Sequence, residues 1–287
     1  NSILLAGGGG ILDVNGNDIT YANTIGNYGG GALKVMSSAA NGSLTLLGAN
    51  TYTGGTVVSN ATLTVNNETG SATGAGAVSV QTNGSLAGYG TMAGSVTVNA
   101  DGTLKLGGTP GILTVGNNLT LLAGGKTVLQ VQHSPLANDA LQIGGTLNAG
   151  GTLIITNSGG TAFAAGDSFQ LFSAGSYSGS FAAVTLPALG AGLMWNTNSL
   201  DSGGEITVVA VSPKIGSVAL SGTNLIMQGS GGVPEGLYYV LGSTNVALPL
   251  PNWTRLATNP FDAGGNFSFT NPVSPARPQN FYILQLP

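Results

Sequence analysis

Between residues 76 and 108 the apolar positions return in a fixed order. Residues 76–90 read GAVSVQTNGSLAGYG and residues 94–108 read GSVTVNADGTLKLGG. Superposed, Gly76 falls on Gly94, Val78 on Val96, Val80 on Val98, Gly84 on Gly102, Leu86 on Leu104 and Gly90 on Gly108, each pair 18 positions apart. Val-x-Val, followed by Leu86 in the first unit and by Leu104-x-Leu106 in the second, has the two-residue period of a strand with one buried face. The Asn, Asp, Gly and Thr residues between the runs are turn formers. A unit this short buries too little apolar surface to fold alone, so it has to stack on copies of itself. Helical solenoids need about 33–47 residues per repeat and leucine-rich repeats about 20–29, and neither is broken so often by glycine. The pattern therefore predicts an all-β chain built on a β-solenoid, a right-handed parallel β-helix with successive turns about 4.8 Å apart.

The same texture extends in both directions. Short strands are expected at 2–5, 10–14, 19–21 and 32–35, separated by glycine runs. Further strands are expected at 111–115, 118–122, 128–132, 140–143 and 152–156, with residues 133–139 bulging from a corner as a loop. From 161 to 211 the chain turns aromatic (Phe163, Phe169, Phe172, Tyr177, Phe181, Trp195). Strands at 168–172, 192–195 and 205–211 read as the last parallel turns, closed by larger side chains. A linker around Val211–Ile215 then separates two domains, a parallel β-helix over 1–211 and a small antiparallel β-sandwich over 212–287. The second domain has fibronectin- or immunoglobulin-like strands at 217–221, 224–228, 237–241, 253–257, 266–270 and 281–286.

Composition narrows the function classes. Charged residues are 6% of the 287, where about 25% is usual. Hydrophobic content of 42% and regular alternation argue against disorder. The net charge is −4, and the six basic residues Lys34, Lys105, Lys126, Lys214, Arg255 and Arg277 are scattered. Nucleic acid and anionic membrane surfaces, which need clustered Lys and Arg, are not expected partners. No cysteine is present, which excludes disulfides and thiolate metal sites. No apolar run of about 20 residues is long enough for a membrane-spanning helix. The chain begins at Asn1, and the expectation is that a signal peptide or longer N-terminal segment has been removed.

Residues 46–58, LLGANTYTGGTVV, followed by residues 61–66, ATLTVN, closely resemble the autotransporter-associated β-strand repeat. The resemblance is specific over about thirty residues, and the irregular units through about Ile155 resemble the turns that accompany it. It implies a parallel β-helix, an extracellular or cell-surface location in a bacterial secreted protein, and a structural, adhesive or display role. The family has no shared catalytic residues to carry over. Unlike an autotransporter, the chain shows no translocator barrel before Pro287.

Candidate chemistry is sparse. His133 is the only histidine, and Ser134 and Asp139 beside it mimic a triad by composition alone; the expectation is a solvated loop histidine. β-Helical pectin lyases and polygalacturonases need grouped carboxylates and a basic residue. Here only Asp13/Asp18 and Asp201/Glu205 are close in sequence, no carboxylate pair sits at the 18-residue offset, and the first 254 residues hold no arginine. Asp101-Gly102 matches a calcium-repeat frame once, with Asn83-Gly84 in the preceding unit. A ladder of stacked Asn and Asp side chains is the expectation there. The chain is thus read as a non-enzyme without catalytic, cofactor or metal residues. Trp253, Tyr238 and Tyr239 are the candidate glycan contacts, weighed against a role as core. The expected partners are the chain itself, as a homo-oligomer or end-to-end fibre through open strand edges, or surface glycans. The alternative is a carbohydrate-binding or carbohydrate-cleaving, pectate-lyase-like β-helix.

Overall fold

The computed structural model describes residues 3–40, 42–107, 109–273 and 279–287. Asn1, Gly108, Arg277 and the first residue of the strand expected at 2–5 lie outside them. The described residues are almost entirely β, with one four-residue helix, Leu200–Gly203, and one 3-10 turn, Leu250–Asn252. Two compact units divide the chain. The first comprises 1–162, 167–188 and 196–207; the second comprises 163–166, 189–195 and 208–287.

In the first unit the alternation read from the sequence becomes two long parallel sheets, which the chain visits in turn. One contains Gly10–Asp13, Leu33–Met36, Thr56–Ser59, Val78–Val80, Val96–Val98 and Leu119–Leu121; the other contains Asp18–Tyr21, Ser43–Leu46, Thr62–Val65, Ser85–Gly88, Thr103–Lys105 and Lys126–Gln132. The repeat pairs as expected: Val96 lies opposite Val78, Val98 opposite Val80, and Leu104 opposite Leu86. Each pair belongs to a longer row. Val35, Val58, Val80, Val98 and Leu121 stack in register, as do Leu44, Leu63, Leu86, Leu104, Thr127 and Leu153, and all are buried. The strand Ala140–Ala149 pairs with Ile112–Val115 through its first half and with Leu119–Leu121 through its second, joining a further parallel stack to the first sheet.

The spacing of 18 holds only within that repeat. Gly10 faces Leu33, Leu33 faces Thr56 and Thr62 faces Ser85, each 23 positions apart, and Leu141 faces Phe172, 31 apart. The variation is lopsided. Passing from the first sheet to the second the chain needs only a few residues: Ser59 to Thr62, Val80 to Ser85, Val98 to Thr103, Leu121 to Lys126. Each of these corners has a residue in the left-handed region, namely Asn60, Asn83, Asp101 and Gly124 at φ of 52°, 55°, 59° and 81°. Asn, Asp and Gly are the types that reach this region at little cost. The Asn83 side chain donates to Asn60 Oδ1 at 3.2 Å, and the Asn83 backbone N–H donates to the Asp101 carbonyl. The return connections, such as 66–77 and 133–139, are longer and unequal.

The 46–58 segment acquires a physical account. Asn50 is buried, accepts from the Ile25 N–H at 2.6 Å and donates to the Ala72 carbonyl, bridging the chain before and after it. Tyr52 and Thr56 are buried in the rows and share a hydroxyl hydrogen bond of 2.6 Å; burial pushes the Tyr52 phenol up to about 12. A Cβ on Gly54 would come within 2.3 Å of the Gly30 and Gly31 backbone, so only glycine lets these two connections approach.

The two edges of the stack differ. At the first strands, Leu12, Ile19 and Tyr21 are half-buried, whereas their partners Val35, Leu44 and Leu46 are fully buried. At the far side Phe169, Leu171, Phe172, Leu200 and Ile206 are all buried. There Ser168–Gln170 pairs with the start of Glu205–Ala210 in antiparallel register, correcting the expectation that both are parallel turns. An added strand, Ile25–Tyr28, pairs with Ile3–Ala6.

In the second unit two three-stranded antiparallel sheets form. Lys214–Ser221, Asn224–Ser230 and Phe267–Pro272 make one; Thr254–Pro260, Leu237–Ser243 and Phe281–Gln285 make the other. All six overlap the expected strands. Their common core is Met227, Tyr238, Val240, Phe261, Phe267 and Phe269.

Candidate functional site

The alternation of side chains along Leu237–Ser243 decides the fate of the aromatic trio. Tyr238 points inward, is 1% exposed, and lies 4.8 Å from Phe261 and 5.3 Å from Phe267, centroid to centroid. It belongs to the core of the unit, with its edge at the larger cleft of that unit. Tyr239 points the other way. Across the sheet it faces Gln285, and Leu241, two positions on, faces Arg255. Trp253 stands two positions before Arg255, in extended backbone at the entry to its strand. Tyr239, Gln285, Arg255 and Trp253 therefore gather on the outward face of one sheet.

A cleft of about 340 Å³ opens there, lined by Leu241, Leu250, Pro251, Trp253, Arg255 and Gln285. Leu241, 5% exposed, forms its floor. The indole N–H of Trp253 donates to the Leu248 carbonyl at 2.9 Å, which fixes the ring. The Arg255 guanidinium lies 3.7 Å above the centre of the Tyr239 ring, a cation–π contact that holds it in place. Among the described residues the only basic–acidic side-chain contact is His133–Asp167, so Arg255 has no carboxylate partner there. Sequence reading missed Arg255 and Gln285. The signal for Arg255 was present: it follows Trp253 by two positions in extended backbone.

A larger cleft of about 660 Å³ in the same unit is bordered by Gln228, Asn259, Asp262 and Asn266 over the edges of core rings. Its one carboxylate is already engaged. Asp262 accepts from the backbone N–H groups of Asn266 and Gly264 and from the Asn266 side chain, which hold it below the usual carboxylate range.

In the first unit the triad mimic comes apart. His133 Nδ1 lies 2.8 Å from Asp167, not from Asp139, and its side chain is one-third exposed, so the expected solvated loop histidine is instead a paired one. Asp139 is fully buried and accepts from the N–H groups of Gln130 at 2.9 Å and Gly111 at 3.1 Å. Burial outweighs those two hydrogen bonds and pushes its carboxyl up to about 6. It secures the 133–139 connection to the strands on either side. Three further carboxylates tie local structure: Asp13 to Asn15 and Ser38, Asp18 to Ser43, Glu205 to Ser168. Among the described residues no three His, Asp or Glu side chains group as a metal site, and no helix is long and apolar enough to cross a membrane. Neither a protein-family model nor a curated protein matches this chain.

Proposed function

We propose that this chain is a structural or adhesive part of a bacterial secreted or cell-surface protein. In this reading its first unit is wound as a right-handed parallel β-helix and serves as a stiff scaffold. The observation that carries the reading is the unbroken register of the buried rows from Val35 to Leu121 and from Leu44 to Leu153, aliphatic at every position but Thr127. Side chains that repeat at one spacing along a ladder favour mechanical continuity over a reaction centre. The engagement of Asp13, Asp18, Asp139, Asp167 and Glu205 in local hydrogen bonds supports the same reading. Self-association would use the first strands, whose inward residues Leu12 and Ile19 are incompletely covered.

Small-angle scattering of the purified chain tests the scaffold, with an elongated cross-section profile expected for residues 1–207 within the whole. Electron microscopy across a concentration series tests self-association; single particles at every concentration would remove it. A reducing-sugar assay on uronate polymers tests the enzymatic alternative, and no release is expected. A second role, glycan capture by the second unit, is favoured by the Trp253 cleft.

A further inference from the structure

We propose that the outward face formed by Trp253, Arg255, Tyr239 and Gln285 binds an acidic oligosaccharide, one whose sugar rings carry carboxylates. The proposal rests on the adhesive reading for its biological sense, but the site does not depend on how the first unit is wound.

Three features of the cleft select this ligand class. The Trp253 ring is anchored through its N–H and flanked by Leu250 and Pro251, giving a rigid apolar surface on which the C–H face of a sugar can stack. The Gln285 amide, at the rim, offers both a donor and an acceptor to ring hydroxyls. The Arg255 guanidinium is held over the Tyr239 ring, 3.7 Å from its centre, with no acidic partner among the described residues. A guanidinium so placed has lost part of its motion and keeps its N–H donors for a carboxylate, which it can grip in two places. Opposite sign is what the cleft lacks: its lining contains no Asp or Glu. A neutral glycan would leave that cation unmatched, and a phosphate-rich polymer would meet one cation in a chain of net charge −4.

Isothermal titration of the full chain with hexagalacturonate, its methyl ester and poly-glutamate of equal charge provides the test. The free acid is expected to bind, with the ester at least about ten-fold weaker, the loss typical of a charge-assisted hydrogen bond. Arg255→Gln should lower acid binding to the level of the ester and leave the ester unchanged. Gln285→Glu, which puts a carboxylate beside the guanidinium, should have the same effect without removing the Tyr239 stack. No binding of the acid at millimolar concentration overturns the proposal, as does equal binding of acid and ester or acid binding undiminished in both variants. Poly-glutamate binding as tightly as the sugar would overturn the saccharide class. None of these outcomes bears on scattering or microscopy of the first unit, so the two readings fail separately.

Discussion

The stacked rows of the first unit and the core of the second solve the same burial problem with different side chains. From Leu33 to Ile155 the buried rows are nearly all Val, Leu and Ile, with Tyr52 the one buried aromatic. The second unit packs four aromatic rings, Tyr238, Phe261, Phe267 and Phe269, into a core of six residues. A parallel ladder repeats at one spacing, so a side chain that fits one level fits the next, and a branched aliphatic stacks on its own kind without a gap. Two antiparallel sheets that pack face to face leave a space whose width changes along it, and rings turned at different angles fill it. The difference extends to chemistry. Uniform rows leave few places for a distinctive group, whereas alternation on a short antiparallel strand sets Tyr238 inside and Tyr239 outside, one residue apart.

Substitutions can break this contrast, and the largest effect is expected where backbones touch. Gly54→Val places a branched side chain within 2.3 Å of main chain that cannot yield, and loss of the first unit's cooperative melting is expected, a cost above about 4 kcal/mol. Circular dichroism and calorimetry would show whether the second unit's transition survives. Next come matched deletions in the two cores. Phe261→Ala should cost about 3–5 kcal/mol and Leu86→Ala about 2–5 kcal/mol, each read as a denaturant midpoint shift confined to its own unit. A smaller effect follows from Leu86→Phe, about 1–3 kcal/mol, because a row of like residues has no room for a ring. Tolerance of that ring at no cost would defeat the packing argument.

The smallest and most specific effect concerns Asp139. Its folded-state value near 6 lies above the ordinary 3.8, so the folded state holds the proton more tightly. The stability linked to that proton is fully present below pH 3.8 and is lost as the pH rises through 6. The melting midpoint of the parent chain relative to Asp139→Asn should therefore fall between pH 4 and pH 7. A flat difference across that range would show that the carboxyl is not desolvated.

Much of this architecture is legible in the residues, and the failures have physical causes. The pairing of Val78 with Val96 and Leu86 with Leu104 follows from alternation, and the left-handed corners from Asn83-Gly84 and Asp101-Gly102. The 18-residue spacing of 76–108 does not extend along the chain because ladders constrain strands and leave connection length free. Ile25–Tyr28 escapes notice because Gly26 and Asn27 interrupt its apolar pattern. The antiparallel pairing of Phe169 with Ile206 depends on partners far apart in the chain, which periodicity does not encode. At the cleft, Trp253 and Tyr239 are visible as aromatics. Strand parity, which separates Tyr238 from them, shows only once register is known, and a lone arginine reads as scattered charge until its ring partner is placed.

The lopsided corners have a practical consequence. Because the turns holding Asn60, Asn83, Asp101 and Gly124 are tight while the opposite connections already range from a few residues to more than ten, foreign peptide has one permissive side at which to enter. Graft sites for display belong at the exposed residues 68–70, ahead of the buried Ala72 and Thr73, while the same cargo placed beside Asn83 would pry neighbouring strands apart. Lineages that lengthen such a chain have the same choice of address.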